Sequence, residues 1–172
     1  VGTNIPSDCD VTSPNVSITS PTEGAFINSN SLTITASAND NKKVASVHFH
    51  RLVGSNWTLL GSDFTSPYSL TTSLSALGDG THRFGVKAID YSGNETFVTR
   101  NIVLDRSAPT GIMVAPVPDS QTSAKRIAMR ANAADATSGV DRVEYFARSP
   151  EPWSNDTWIK IGTVYNAPYD FT

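Results

Sequence analysis

The chain has 172 residues, of which 38% are hydrophobic and 17% are charged, and its formal net charge is −3. The sequence has no basic stripe, so nucleic acid is not an expected partner, and no apolar run approaches the roughly 18 residues needed to span a bilayer. Low charge together with abundant Ser and Thr favours an exposed β-protein over a helical one.

Short stretches in which apolar and polar residues alternate predict β-strands along the whole chain. Residues 1–13 are predicted to be a lead-in or linker, because the chain up to residue 15 is rich in Pro, Ser and Asn. Seven strands separated by turn residues predict a β-sandwich of immunoglobulin type without its usual disulfide. The predicted strands begin at Val16 and then cover 32–38, 47–50, 57–60, 68–72, 83–88 and 97–104.

An internal repeat near one hundred residues indicates tandem domains. Residues 36–49 and 57–71 are matched by 131–146 and 158–172, with the segment DRSAPT (105–110) as the predicted junction. We therefore predict an all-β protein made of tandem immunoglobulin-like β-sandwiches, the second one incomplete. The predicted domains are a complete one at 14–106 and a partial one at 107–172.

The second copy stops at Thr172, the counterpart of Thr71, so it lacks counterparts of the last two strands of the first copy. We expect this domain to have open strand edges and an uncovered core face. The chain is expected to continue past Thr172 into neighbouring domains, or else neighbouring subunits donate the missing strands by complementation. The side chains expected to be exposed are Ile127, Met129, Val143 and Tyr145.

The ordered motifs of the first copy resemble the bacterial immunoglobulin-like (Big-type) tandem repeats of secreted hydrolases and cell-surface proteins. The resemblance implies an extracellular or surface-located, non-catalytic spacer, stalk or adhesive module, and it names no particular ligand. It covers 14–109 fully and 110–172 as a partial second copy. The motifs are VSITSPTEGAFI, ASANDNKKVASVHF, SPYSL, GDGTHRFGVKAIDYSGN and LDRSAPT.

Acidic turn residues suggest calcium sites, because hard cations are bound by carboxylate, amide and carbonyl oxygens. Asp40 follows the second predicted strand, and Asp90 and Asn94 follow the sixth. Both loops emerge from the end of the sandwich nearer the N-terminus. The alternative is that these residues only build turns.

A second calcium site is expected at the junction of the two domains. Asp105 leaves the opposite end of the first sandwich, where it should meet the loops of the second that contain Asp135 and Asp141. An ion there would neutralise mutually repelling carboxylates and stiffen the connection between domains. Turn formation is again the alternative reading.

The three tryptophans and the single cysteine raise other roles. Trp153 lies in a loop insertion without a counterpart in the first copy, and exposed Trp side chains bind sugar rings by stacking. Trp57 and Trp158 are equivalent in the repeat, which favours a packing role for both. Cys9, the single cysteine, is expected to be an exposed thiol or the partner of a cysteine elsewhere.

No pattern of catalytic residues supports an enzyme. The sequence has no nucleophile elbow, no phosphate-cradling glycine loop and no pair of carboxylates placed to flank a cleft. The favoured hypothesis is a non-catalytic structural or adhesive spacer of a longer secreted or surface protein or filament. The alternative is an accessory carbohydrate-binding module of a secreted hydrolase, with a polysaccharide as its partner.

Overall fold

A computed structural model describes residues 10–116, 126–148 and 157–172, and the chain divides into two compact units, Val1–Arg106 and Ser107–Thr172. All regular secondary structure in the described residues is β-strand, so the predicted all-β fold is confirmed. Cys9 and Trp153 lie outside the described residues.

In its described residues, 10–106, unit 1 is a two-sheet sandwich of eight strands. The first sheet has the order β1–β3–β6, and the second has the order β2–β8–β7–β4–β5. All neighbouring strands are antiparallel except β2 and β8, which are parallel. The strands are β1 (Asn15–Ser20), β2 (Ala25–Ile27), β3 (Ser31–Asn39), β4 (Val44–Val53), β5 (Asn56–Asp63), β6 (Tyr68–Ser73), β7 (Gly80–Asp90) and β8 (Glu95–Leu104).

The core of unit 1 lies between the two sheets and follows the period-2 pattern of the strands. On β4 the alternate residues Val47 and Phe49 are fully buried, and Phe49 faces Val86 across the β4–β7 ladder. Ile34 of β3 closes the opposite side of this core. The sequence pattern anticipated all of these strands except the short β2.

Unit 2 contains five described strands that correspond to five strands of unit 1. Its sheets have the orders β13–β10–β9 and β11–β12. They repeat the β6–β3–β1 and β4–β5 arrangements, and within the described residues β11 pairs only with β12. The strands are β9 (Thr110–Ala115), β10 (Met129–Ala134), β11 (Val143–Arg148), β12 (Trp158–Val164) and β13 (Tyr169–Phe171).

The repeat extends to individual packing contacts. A Cβ atom at Gly61 would lie 2.9 Å from Leu70 of β6, and a Cβ at the equivalent Gly162 would lie 2.1 Å from Phe171 of β13. In both units, a glycine therefore leaves space for an apolar side chain that reaches across from the other sheet.

Equivalent residues of the two units differ in exposure where β7 and β8 cover unit 1. Ile18 of β1 is 6% exposed, whereas its counterpart Met113 of β9 is 50% exposed. Trp57 packs edge-to-face on Phe97 of β8, with ring centroids 4.9 Å apart, whereas its counterpart Trp158 is 62% exposed. The positions of unit 2 that are more exposed are thus the counterparts of positions in unit 1 that contact β7 or β8.

The exposure predicted for one residue of unit 2 is wrong. Tyr145 of β11 was expected to be exposed but is only 2% exposed. Its ring stacks on Phe171, with centroids 5.5 Å apart, and its hydroxyl donates a hydrogen bond to the carbonyl oxygen of Tyr169. Burial raises the pKa of Tyr145. Met129 and Val143 are half-buried, and Ile127 is exposed as expected.

The paired tryptophans test this difference in packing. Trp57→Ala should lower the free energy of unfolding of unit 1 by about 2 kcal/mol, because it removes the half-buried ring that packs on Phe97. The matched variant Trp158→Ala should change unit 2 by no more than about 0.5 kcal/mol, since that ring is largely in solvent. Hydrogen exchange followed separately in each unit measures both, and equal losses would contradict the assignment.

Candidate metal site at one end of unit 1

Three aspartates meet at one end of unit 1, although they are far apart in the sequence. Asp10 precedes β1, Asp40 follows β3, and Asp90 is the last residue of β7. The antiparallel pairing places the start of β1 beside the end of β3, and the start of β4 beside the end of β7. As a result, one carboxylate oxygen from each aspartate lies within 4.8 Å of the other two.

Asp90 organises the turn between β7 and β8. Its Oδ1 accepts hydrogen bonds from the backbone N–H groups of Ser92 and Asn94, both at 2.8 Å, and its Oδ2 accepts one from Nδ2 of Asn94 at 2.7 Å. Gly93 permits this tight turn because its φ is 89°. Burial of Asp90 acts to raise its pKa, but the hydrogen bonds from Asn94 and Ser92 outweigh burial and hold the pKa below its ordinary value.

In each of the other two carboxylates, those of Asp10 and Asp40, only one of the two oxygens accepts hydrogen bonds. Oδ1 of Asp10 accepts hydrogen bonds from the backbone N–H of Thr12 at 3.0 Å and from Nδ2 of Asn41 at 3.1 Å. Oδ2 of Asp40 accepts one from the backbone N–H of Lys42 at 2.9 Å. The remaining oxygens, Oδ2 of Asp10 and Oδ1 of Asp40, are buried and have no hydrogen-bond partner among the residues that the structure describes.

The cluster is rich in oxygen and in negative charge. Within the described part of the chain, none of the three aspartates forms an ion pair with a Lys, Arg or His side chain. Like charges this close repel each other, and buried carboxylate oxygens without partners are costly. A hard cation is the kind of ligand that would satisfy both conditions at once.

The sequence predicted that Asp40, Asp90 and Asn94 lie at one end of the first domain, and the structure places them together there. Asn94 positions the cluster by donating hydrogen bonds, since its Nδ2 also reaches the carbonyl oxygen of Asp10 at 3.1 Å. Asp10 was missed because the lead-in shows no strand periodicity. The available signal was an acidic residue shortly before the first strand, at the end where the Asp40 and Asp90 loops emerge.

The junction site remains a prediction, because its residues belong to different units. In unit 2, Oδ1 of Asp135 accepts hydrogen bonds from the backbone N–H groups of residues 137–139. Those from Ser138 and Thr137 contribute most to lowering the pKa of Asp135. Asp141 pairs with Arg142 at 2.6 Å. Asp105 is buried in unit 1, and its backbone N–H donates to the carbonyl oxygen of Ile27.

Comparison with known families supports the reading of the repeat. A family model described as bacterial Ig domain matches residues 14–86 and again residues 109–172, which together are more than half of the chain. A comparison with curated proteins finds no match. Across the described residues, no helix is long and apolar enough to cross a membrane.

The role of Asp90 in its turn can be tested by pH. Because the folded-state pKa of Asp90 is lowered, its ionised form stabilises unit 1 above its ordinary pKa of about 4, and this contribution is lost as pH falls through the folded-state pKa. In buffer with a chelator, Asp90→Asn should lower the melting temperature of unit 1 by several degrees at pH 7. Thermal melts between pH 3 and pH 7 should show this deficit shrinking below about pH 4. A deficit that is independent of pH would contradict the assignment.

Proposed function

This chain belongs to the bacterial Ig domain family, and on that premise we propose that it is a structural spacer of an extracellular or cell-surface assembly. Such domains are generally non-catalytic modules and typically occur in extracellular or surface proteins. The finer role proposed here is to hold neighbouring parts of that assembly at a fixed separation.

The observation that carries this proposal is that the chain enters and leaves unit 1 at opposite ends, and is fastened at both. Asp10 and β1 begin at the end where β7 passes into β8, whereas β8 finishes at the other end. A load along the chain would therefore pass through the full length of the sandwich. The closed core between the two sheets makes that length rigid.

Arg106 fastens the exit from unit 1. Its guanidinium donates hydrogen bonds to Oδ1 of Asp79 at 3.2 Å, to Oδ1 of Asn30 at 2.7 Å and to the carbonyl oxygen of Leu77. The three partners lie on two different loops, so a single side chain ties the segment after β8 to this end of the sandwich. Planar guanidinium groups suit such multiple contacts better than a Lys ammonium does.

Replacing Arg106 tests whether the exit is fixed, as a spacer requires. Arg106→Gln should increase hydrogen exchange in the last turn of β8 and in the loops at 30 and 77–79 by roughly 5- to 10-fold, because three contacts are lost. Lys87→Gln is a matched control, since Lys87 forms an exposed ion pair with Glu95 that should contribute little. If exchange at the exit were already fast in the unaltered chain, the proposed rigid connection would be wrong.

The exposed positions of unit 2 suggest what would complete it. A concavity of about 700 Å³ lies beside β11 and is lined largely by apolar side chains, among them Met113, Tyr145, Phe146 and Trp158. Unit 1 shows what occupies the equivalent place, since its β7–β8 hairpin pairs with β4, contacts β1 and packs Phe97 on Trp57. We therefore propose that β11 pairs with a further hairpin of the same apolar pattern.

Fusing a copy of residues 72–105 after Thr172 tests this proposal on the full chain. The added hairpin should raise the melting temperature of unit 2 by several degrees and slow hydrogen exchange in β11, because it supplies a pairing strand and a counterpart of Phe97. The same fusion with the added Phe97 replaced by Ala should recover only part of the gain. An unchanged β11 would contradict the proposal.

The alternative function, carbohydrate binding, predicts a different result. Exposed aromatic rings such as Trp158 stack on sugars, so a polysaccharide pull-down should retain the chain and lose it with Trp158→Ala or Trp153→Ala. Retention that depends on either ring would favour an accessory carbohydrate-binding module over a spacer.

A further inference from the structure

We propose that Asp10, Asp40 and Asp90 together bind one Ca²⁺ ion, which fastens the segment before β1 to both sheets of unit 1. The feature that carries this inference is the convergence of three carboxylates from three separate segments. Asp10 belongs to the lead-in, Asp40 leaves the first sheet at the end of β3, and Asp90 ends the central strand β7 of the second sheet.

The spacing of the oxygens fits a single calcium ion. Ligand oxygens lie about 2.3–2.6 Å from Ca²⁺, so two oxygens that share one ion are at most about 5 Å apart. The three carboxylates each offer an oxygen within 4.8 Å of the others, which satisfies this limit without movement of the backbone.

Two buried oxygens without hydrogen bonds point to a ligand independently of the clustering. Oδ2 of Asp10 and Oδ1 of Asp40 are shielded from solvent and have no hydrogen-bond partner within residues 10–116, 126–148 and 157–172. Asp10 as a whole is only 9% exposed, and Asp90 only 3%. Turn formation explains the opposite oxygens of Asp10 and Asp40, which accept backbone N–H groups, but it leaves these two without a role. Buried polar atoms are normally satisfied, and a cation would satisfy both.

The donor set selects the ion. All three side chains are carboxylates, without the imidazole or thiolate ligands that favour zinc. Three carboxylates supply three negative charges, and waters can complete the six to eight oxygens that Ca²⁺ accepts in flexible geometry. Mg²⁺ requires shorter bonds in a near-octahedral arrangement and gives up its waters reluctantly, so it should bind more weakly here.

Asn41 and Asn94 act as positioning residues for this site. Nδ2 of Asn41 holds Oδ1 of Asp10 at 3.1 Å, and Nδ2 of Asn94 bridges Oδ2 of Asp90 and the carbonyl oxygen of Asp10 at 2.7 and 3.1 Å. The two amides thus set the carboxylates of Asp10 and Asp90 before an ion arrives, which lowers the cost of ordering the site on binding.

The effect of the ion on the connection to the incoming chain rests on the proposed spacer function, whereas the geometry of the site does not. An ion held by the lead-in and by both sheets would tie the incoming chain to the end of unit 1 opposite Arg106. Calcium would then set the stiffness of this connection, whereas the closed core would remain folded without it.

Metal titration of the full 172-residue chain tests the site directly. Calorimetry with CaCl₂ should show at least one binding event per chain, and Ca²⁺ in excess over EDTA should raise the melting temperature of unit 1 by about 10 °C at saturation. MgCl₂ at the same concentration should give a markedly smaller shift. Absence of any calcium-dependent heat or shift would overturn the inference and would leave the spacer proposal, which is tested at Arg106, standing.

Two variants that each remove one negative charge should weaken calcium binding without lowering the melting temperature in EDTA. Asp10→Asn and Asp40→Asn should each weaken calcium binding by at least about 10-fold. In EDTA, the same variants should melt at the same temperature as the unaltered chain or higher, because they relieve repulsion between carboxylates. A purely turn-forming role predicts no dependence on calcium, and that outcome would also overturn the inference.

Asp170→Asn is the matched control, since it removes one carboxylate of the same charge from unit 2, where Asp170 pairs with Arg130 outside both predicted calcium sites. It should leave calcium binding unchanged. If Asp170→Asn abolished binding while Asp10→Asn did not, the ion would lie elsewhere and the assignment to unit 1 would be wrong. Circular dichroism of each variant in EDTA verifies that the fold is intact before the titrations are compared.

Discussion

The pairing of β7 with β4 is the interaction on which the rest of unit 1 depends. A sandwich is stable only when the inner faces of both sheets are covered, and β7 places Phe84, Val86 and Ala88 against that interior. It also supplies the edge on which β8 pairs, and β8 brings Phe97 over Trp57. In its described residues, unit 2 repeats five of the remaining six strands, all but β2, and its exposed Met113 and Trp158 lie where this hairpin has no described counterpart.

Strand pairing also determines what the loops can do. Asp40 and Asp90 sit directly at strand ends, so the antiparallel ladders fix their separation before any loop contact forms. The loops add fine positioning, mainly through Asn94, which links the β7–β8 turn to the lead-in. Repelling carboxylates can be held together in this way only because the core stabilises the scaffold that carries them.

Much of this arrangement could be predicted from the sequence, because period-2 patterns report directly on half-buried strands. The co-location of Asp40, Asp90 and Asn94 followed from strand order alone. Asp10 could not be found in this way, since the lead-in has no periodicity and its position depends on side-chain contacts with Asn41 and Asn94. The burial of Tyr145 was missed because it depends on Phe171 crossing over Gly162, a contact that strand pattern does not encode.

The two units share a fold, but equivalent aspartates in them have different surroundings. Asp40 and Asp135 are equivalent positions, yet Asp40 gives only Oδ2 to its turn and keeps Oδ1 unpaired. Asp135 instead gathers the N–H groups of residues 137–139 on its Oδ1, without a cluster of other acids among the described residues of its unit. A turn aspartate is thus a structural residue by default. We propose that it becomes a cation ligand where a second strand end and the incoming chain bring further carboxylates to it, as Asp10 and Asp90 are brought to Asp40.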